Sequence, residues 1–299
     1  MVNIENLFNN AFSAIRAQPK ILLPLVLNWI PETVITVAMS LIASDIIKGY
    51  TLNQLLASFK ADPSGFILAM LSAYPYHLGF IALSIILSAF ISSFIKSFYP
   101  TLSYQIYYHK KIELNKATEL AGKRYLKVLW TDALFGLISN TIIFGLIFGA
   151  ILLFIFLAAA GGGVGMIIGA ITAIIAAGLL FVAVAYIIPI TVILEPVVVI
   201  ENLGGFAAIK KSHQILKGKL GHVWRFIIFL AIANGLYHAM VGLLVGIFEF
   251  TIGKYAAIFQ MILLLLASAF ILLSYGLLYL EISPVSINLS DHQEKTKTN

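Results

Sequence analysis

Long apolar runs separated by short polar links dominate the chain. Six of these runs approach the roughly 20 residues that a helix needs to cross the hydrocarbon core of a bilayer. They lie at about 21–44, 77–98, 132–158, 165–193, 223–248 and 255–282. Because backbone polar groups inside a bilayer must be bonded within the segment, runs of this length predict helices. The pattern therefore predicts an all-α polytopic membrane protein with six transmembrane helices.

A shorter apolar stretch, GFILAMLSAYPY at residues 65–76, does not reach spanning length. It belongs to a longer insertion, residues 45–76, between the first and second predicted spans. Two placements of this insertion stay open: an interfacial cap and a re-entrant segment.

Amphipathic segments precede the three odd-numbered spans. They cover residues 3–16, 113–128 and 206–217. In the third segment Phe206, Ile209 and Leu216 share one helical face, and lysines occupy the other. Such helices lie in the headgroup plane, with their apolar side toward the hydrocarbon and their lysines toward anionic phosphates. Gly218 is the predicted end of the third helix, because glycine tolerates the left-handed cap.

A weak internal repeat relates the second and third of these segments. Sliding the chain by 94 residues pairs Lys116 with Lys210, Thr118 with Ser212, Lys123 with Lys217, Leu126 with Leu220, Trp130 with Trp224 and Asn140 with Asn234. The even-numbered spans end in similar proline motifs, at Pro100, Pro196 and Pro284. We interpret residues 1–289 as one six-span domain, followed by a polar cytoplasmic tail at 290–299. Its three repeated units, 1–108, 109–200 and 201–289, each combine an amphipathic interfacial helix with a helical hairpin.

The distribution of basic residues predicts an orientation. Sixteen of the 19 Lys and Arg residues fall on one side of the six-span arrangement, and only Lys48, Lys60 and Lys254 fall on the other. Under the positive-inside rule this bias places both termini on the cytoplasmic side of the plasma (inner) membrane. Basic residues confined to short links are typical of topology signals and headgroup attraction, so nucleic acid is not an expected partner.

Composition narrows the chemistry. The chain is 61% hydrophobic and 11% charged, whereas soluble domains carry about 25% charged residues. The absence of cysteine excludes disulfides, thiolate catalysis and cysteine-ligated metals. The six histidines lack metal-binding spacings, and neither a nucleophile elbow nor a phosphate-binding glycine loop occurs. No catalytic residue, metal or cofactor is predicted, and the protein is not expected to be an enzyme.

Polar residues inside the predicted spans form a candidate intramembrane layer. Glu32 lies some 11 residues into the first span, and an ionisable group at that depth is a functional-site hypothesis. Counted inward at about 1.5 Å per residue, Asn140 and Asn234 reach a similar depth. His238 lies four residues beyond Asn234 on the same face. The layer either coordinates a proton, cation or lipid headgroup, or its members only bond one another across helices, which is the commoner case.

Small residues at i,i+4 spacing predict close helix packing within the chain in preference to dimerisation. The fourth span aligns Gly165, Gly169, Ala173 and Ala177, the third has Gly145 and Gly149, and the fifth has Gly242 and Gly246. Residues 161–163, three glycines in a row, predict a tight turn on the outer side.

Three acidic residues lie near the basic side. Glu195 and Glu201 are predicted to form salt bridges with nearby lysines, with a gating role as the rarer alternative. Asp132, close to Trp130, is predicted to cap or anchor the start of the third span.

The basic amphipathic segments supply candidate contacts for lipid headgroups, namely Lys116, Lys123, Arg124, Lys210, Lys211 and Lys217. Near an anionic surface each basic residue contributes up to about 1 kcal/mol. The same residues also serve to fix topology, and the two roles are compatible.

The third amphipathic segment resembles a motif of a known family. Its matching residues are Ala207, Lys210, Lys211, Ser212, Leu216, Lys217 and Gly218, with Glu201 upstream. The segment AFSAIRAQPKILLPLVL, residues 11–27, resembles the opening of the same family. The family comprises poorly characterised six-span membrane proteins and includes the membrane domain fused to some glycerophosphodiester phosphodiesterases. The resemblance implies a six-span fold and a membrane location; no phosphodiesterase domain lies in this chain, so that activity is not implied.

Together these features favour a non-enzymatic integral membrane protein with a structural, accessory or lipid-organising role. Its basic amphipathic helices are expected to contact anionic lipid on the cytoplasmic face. The alternative is a transporter or lipid-translocating protein that uses the layer of Glu32, Asn140, Asn234 and His238. The expected partners are anionic membrane lipids and, for an accessory role, another membrane protein.

Overall fold

The computed structural model describes residues 3–49, 60–62, 64–65, 72, 74–109, 111–252 and 256–283, and its main elements are all helical. We label them α1 (Ile4–Ala17), α2 (Leu23–Gly49), α3 (Pro75–Tyr104), α4 and α5 (the two arms of Leu114–Ile200), α6 (Gly205–Leu216), α7 (Leu220–Ile252) and α8 (Ala256–Ile282). A 3-10 turn, Pro19–Leu22, leads into α2, and a π turn, Gln105–His109, follows α3. Most of the 45–76 insertion, Pro284 and the 290–299 tail lie outside the described residues.

Six helical segments among the described residues are long and apolar enough to cross a membrane. They are Pro19–Ile42, Pro75–His109, Leu114–Ala159, Gly162–Ile200, Leu220–Gly246 and Gln260–Ile282. The predicted all-α architecture with six potential spans is therefore confirmed. The 46 residues of α4 would extend about 69 Å at 1.5 Å per residue. Since a hydrocarbon core is only about 30 Å thick, much of α4 must lie outside it.

A glycine break divides Leu114–Ile200 into the antiparallel arms α4 (Leu114–Ala159) and α5 (Gly162–Ile200). Gly162 has φ 52° and ψ −136°, a conformation that side chains disfavour. Next to the turn, a Cβ on Gly165 would lie 2.0 Å from the Leu157 carbonyl oxygen, so only glycine fits this approach. The turn predicted at residues 161–163 is present. The close contact predicted for the stripe is present at Gly165 and Gly169, whereas Ala173 and Ala177 line an apolar crevice between the two arms.

The glycine pairs of α4 and α7 behave differently from the α5 stripe. Among the described residues, a Cβ added at Gly145, Gly149, Gly242 or Gly246 would meet nothing within 4 Å. The prediction that these four glycines mediate internal helix contacts is therefore wrong. Small residues allow two helices to pack closely, but they do not determine whether a neighbouring helix packs at that position.

The second amphipathic segment is not a separate interfacial helix. α1 ends at Gln18, before Pro19, and α6 ends before Gly218, which has φ 83° as its predicted cap role requires. By contrast, α4 continues from Leu114 straight into the third span. The reason is local: residues 128–132, VLWTD, contain neither glycine nor proline to interrupt the helix. The three-unit repeat therefore stays a prediction.

The buried core lies at one end of the bundle, where α3, α5 and α8 end and α1 and α6 pack across them. We call this region the packed end. Its fully buried side chains include Leu7, Tyr99, Leu102, Leu194, Phe226, Leu277 and Tyr279. The remaining part, which we call the open half, consists of α2, residues 75–90 of α3, 137–159 of α4, 162–188 of α5 and 231–246 of α7. None of the most apolar window of α4 is buried inside the protein, as suits helices that face lipid.

Two polar contacts fasten the packed end. The Tyr99 hydroxyl donates to the Ile21 carbonyl oxygen at 2.9 Å, which ties α3 to the start of α2. The Ser103 hydroxyl donates to the Leu273 carbonyl oxygen on α8, also at 2.9 Å. Here α3 and α8 cross so closely that a Cβ on Gly276 would lie 2.4 Å from Ser103 Oγ.

Candidate functional site

The link before α6 is fastened to α4 at the packed end. Gly205, with φ 56°, donates its N–H to Thr131 Oγ1 at 2.8 Å. Lys127 Nζ donates to Asn202 Oδ1 at 2.9 Å, which holds the same link one turn earlier along α4. These bonds, made by residues about 75 positions apart, fix where α6 begins.

α6 is amphipathic and buries one of its faces. Gly205, Ala208, Ser212 and Leu216 are buried. The Ser212 hydroxyl donates to the Ala208 carbonyl oxygen at 2.9 Å, so the serine of the family-like motif is satisfied inside the helix. The opposite face presents exposed Lys210 and Lys217, for which the described residues supply no hydrogen bond or ion pair. α6 is thus a fixed helix that offers two free cations.

The other four candidate headgroup contacts are engaged with groups of the protein. Lys116 Nζ lies 2.6 Å from Glu113 Oε2, and this bond holds the pKa of the Glu113 carboxyl below its ordinary value. Lys123 pairs with Glu119 on the same exposed helix surface. The two remaining candidates bridge elements: Lys211 Nζ lies 3.3 Å from Glu201 Oε2, and Arg124 donates to the Val199 carbonyl oxygen.

Two basic side chains, which we call clasps, donate hydrogen bonds to carbonyl oxygens at helix C-termini. Arg124 on α4 reaches the Val199 carbonyl in the last turn of α5, and Lys219 reaches the Ile282 carbonyl at the end of α8. The last four carbonyls of a helix lack intrahelical partners and carry the negative end of its dipole. A cation at this position satisfies both, so these side chains stabilise the ends of the even-numbered spans.

A charged cluster joins α3, α4 and α5 where the packed end meets the open half. Lys96 Nζ lies 2.8 Å from Asp132 Oδ2 and 3.0 Å from Glu195 Oε1. The Glu195 side chain is only 11% exposed, whereas those of Lys96 and Asp132 are 31% and 26% exposed, so the ammonium of Lys96 is the main partner of the Glu195 carboxylate. The predicted salt bridge of Glu195 is confirmed. The prediction that Asp132 caps a helix start is wrong, because Asp132 lies inside α4 and pairs across to α3; its alternative role as an anchor stays a prediction.

Glu201 organises a second polar cluster beside the first. The buried Tyr279 hydroxyl donates to Glu201 Oε1 at 2.5 Å, and Lys211 approaches the other carboxylate oxygen. The predicted lysine partner of Glu201 is therefore confirmed, whereas its tyrosine partner gave no signal in the sequence. The cluster connects α8, α6 and the link between α5 and α6.

The four side chains of the predicted intramembrane layer lie on three helices: Glu32 on α2, Asn140 on α4, and Asn234 and His238 on α7. Glu32 accepts a hydrogen bond of 2.6 Å from Asn28 of its own helix. Asn140 and His238 are exposed, and Asn234 is half-buried. Among the described residues, no hydrogen bond, ion pair or ring contact joins any two of these four. A shared role in ion or headgroup coordination stays a prediction.

Apolar crevices open between the helices. One of about 770 Å³ lies among α2, α3 and α8, and one of about 450 Å³ lies between α4 and α5. A third, of about 310 Å³, lies among α1, α7 and α8 and includes Asn234 in its wall. The third crevice therefore combines an amphipathic helix, two spans and a member of the predicted polar layer.

Within the described ranges, no group of three His, Asp or Glu side chains is placed so that it could hold a metal ion. The geometry thus consists of a fastened basic end and apolar crevices between spans. In comparisons with protein-family models, curated proteins and solved structures, no match was found for this chain.

Proposed function

We propose that the chain is a non-enzymatic integral membrane protein that organises anionic lipid around its packed end, in a structural or accessory role. One observation carries the proposal: α6 is held by one buried face and presents Lys210 and Lys217 on the other, exposed and without partners among the described residues. Near an anionic surface each such lysine contributes about 1 kcal/mol. Because α6 is already fastened, little ordering free energy opposes that gain.

The contrast with the remaining lysines supports this choice. Lys116 and Lys123 already have carboxylate partners one turn away, and Lys211 is shared with Glu201. A lysine that is neutralised within the protein attracts lipid phosphate less than a free one. The two free lysines of α6 are therefore the proposed main headgroup contacts.

The proposal also covers the orientation of the protein and the membrane in which it lies. The basic links next to α4, α6 and α7 place the positive side at the packed end, which under the positive-inside rule faces the cytoplasm. We assign the protein on this basis to the plasma (inner) membrane, with both termini cytoplasmic. The open half, with its exposed apolar helices, then occupies the hydrocarbon.

The three-unit repeat and the family resemblance belong to the same proposal. The two clasps, Arg124 on Val199 and Lys219 on Ile282, support a common plan for the second and third units. The resemblance rests on the short motif in α6 and the similar N-terminal segment. Transport, the alternative role, relied on the four-residue polar layer. Among the described residues no hydrogen bond, ion pair or ring contact joins any two of its members, so lipid organisation is preferred.

The test is lipid enrichment around the protein in nanodiscs made from equal amounts of phosphatidylglycerol and phosphatidylcholine. Native mass spectrometry of the released protein counts the co-purified lipids. We expect wild type to retain mainly phosphatidylglycerol, and the Lys210→Gln, Lys217→Gln double variant to lose much of that preference.

The matched control is Lys116→Gln with Lys123→Gln, which removes the same charge from paired lysines. We expect a smaller change in the control. Equal retention of both lipids by wild type would overturn the proposed function. An equal loss in both double variants would show that total charge, and not the free face of α6, determines lipid selection.

A further inference from the structure

The crevice among α1, α7 and α8 is a bounded apolar slot of about 310 Å³. Its long walls come from residues 230–237 of α7 and 263–271 of α8, and Phe12 and Ile15 of α1 lie over it. Toward the packed end, Phe8 bounds the slot, with ring centroids 4.9 Å from Phe270 and 5.3 Å from Phe229. At the other end, the Tyr237 hydroxyl bridges to the Leu263 carbonyl oxygen.

One side chain in the slot has polar capacity that the protein does not use. Asn234 is half-buried in the wall, and its amide makes no hydrogen bond with any described residue. An amide in apolar surroundings is costly unless it is hydrogen-bonded. The slot therefore suits an apolar chain that carries a hydrogen-bonding group, such as an ester carbonyl.

Two cations lie on the stripes that lead into the slot. Arg16 follows Phe12 by one turn on α1, and Arg225 precedes Phe229 and Ala233 at i,i+4 steps on α7. Residues at this spacing share a helix face. Both arginines are exposed, and no described residue forms an ion pair or hydrogen bond with either of them. The slot thus has an unpaired guanidinium group one helical turn from Phe12 and another two turns from Ala233, each on the same helix stripe as a lining residue. Apolar walls that continue into cationic stripes are complementary to a lipid with an anionic headgroup.

We propose that this slot binds a single anionic glycerophospholipid, with one acyl chain in the slot, an ester carbonyl on Asn234 and the phosphate on Arg16 and Arg225. The volume lies at the lower limit of small-molecule pockets, about 300–1,000 Å³, and so suits one chain instead of a whole diacyl group. Arginine suits the phosphate because its planar fork makes two parallel bonds. The site rests on the proposed function, since it gives the lipid-organising surface one fixed lipid.

The first test fills the slot. Ala233→Phe places a ring in its wall, and the matched control Ala231→Phe places the same ring two residues away on the exposed side of α7. After extraction in mild detergent, native mass spectrometry measures the phosphatidylglycerol that survives delipidation. We expect wild type and Ala231→Phe to retain one such lipid and Ala233→Phe to lose it. Thermal unfolding of each variant checks that the fold is intact.

The second test needs no bulky substitution. Arg16→Gln with Arg225→Gln should abolish the preference of the retained lipid for phosphatidylglycerol over phosphatidylcholine, and Asn234→Leu should weaken retention of both. If the Ala233→Phe variant and the arginine double variant both retained phosphatidylglycerol as wild type does, the proposed lipid site in the slot would be wrong. The proposed lipid selection by α6 would be unaffected. Loss of the retained lipid in Lys210→Gln, Lys217→Gln but not in the arginine variant would likewise assign it to α6. A wild type without any anionic preference would overturn both proposals together.

Discussion

The packed end and the open half share α3, α4, α5 and α7 but use their side chains in opposite ways. In the packed end, α3 and α8 approach until a glycine is required at their crossing, and Lys96 pairs with Asp132 and Glu195 between helices. In the open half, α4 and α7 expose leucine, isoleucine and phenylalanine along much of their length, and a Cβ added to their glycines would meet no described residue within 4 Å. An apolar side chain that faces lipid tails loses little by staying outside the protein.

The difference between the packed end and the open half shows which interactions stabilise the fold. In hydrocarbon, helices gain nothing from the hydrophobic effect by associating, so packing, hydrogen bonds and ion pairs have to hold them. This chain places those interactions at the packed end, in the clusters around Lys96 and Glu201 and in the clasps on α5 and α8. Substitutions at the packed end should therefore matter far more than matched ones in the open half.

The largest effect is expected for Lys96→Met. The variant leaves Asp132 and Glu195 facing each other without a cation, and breaking a buried pair costs about 3–5 kcal/mol. Denaturant unfolding in detergent micelles measures the loss of unfolding free energy. Lys123→Met, which removes an exposed pair, should cost less than about 1 kcal/mol. Similar losses in the two variants would contradict the central role of the charged cluster.

Next comes truncation of a core leucine. Leu277 in α8 is fully buried, so Leu277→Ala should lower the unfolding free energy by about 2–4 kcal/mol through lost contacts and a cavity. Leu243 in α7 is 70% exposed, and Leu243→Ala should change the unfolding free energy by less than about 0.5 kcal/mol. The same unfolding titration compares them. A large effect at Leu243 would mean that the open half is covered by another protein surface.

A smaller effect, but with opposite signs, is expected for two Gly→Ala substitutions. Gly276→Ala forces a Cβ toward Ser103 Oγ, and overpacking of this kind costs about 1–3 kcal/mol. Gly242→Ala meets open space and should gain up to about 1 kcal/mol from helix propensity. Melting temperatures measured in one detergent suffice. If Gly276→Ala raised the melting temperature, the close crossing of α3 and α8 would be ruled out.

The smallest effect concerns one hydroxyl. Tyr279→Phe removes the hydrogen bond to Glu201 but leaves Lys211 in place, so we expect a loss of about 1–1.5 kcal/mol. Tyr186→Phe in the open half, where the hydroxyl has no partner among the described residues, is the matched control and should be neutral. Equal stability of the two variants would show that the bond to Glu201 contributes nothing.

Sequence patterns predicted the elements well and their neighbours poorly. Six spans, the turn at Gly162 and the cap at Gly218 follow from hydrophobicity and glycine, which act over a few residues. The prediction of a separate second interfacial helix was wrong, because apolar periodicity does not reveal whether a helix continues into the next span. The sequence predicted a lysine partner for Glu195 but could not identify it, because Lys96 lies 99 positions earlier in the chain. The second carboxylate on Lys96, that of Asp132, comes from α4 and also depends on how the helices pack.

The polar layer shows the same limit. Depth within a span follows from counting residues, and by that count Glu32, Asn140 and Asn234 reach one level. Rotation about each helix axis and the choice of neighbour decide whether equal depth becomes contact. In this protein Glu32 bonds within α2, while Asn234 faces the slot beside α1.

By itself, the sequence determined the helical class, the six apolar spans, the amphipathic character of the segments before the odd-numbered spans and the bias of basic charge to one side. Each of these depends on local composition and on the need to satisfy backbone bonds in lipid. Only the tertiary structure decided which lysines are free, which glycines are packed and which acids share Lys96. Those outcomes depend on contacts between residues tens to hundreds of positions apart, which no local pattern specifies.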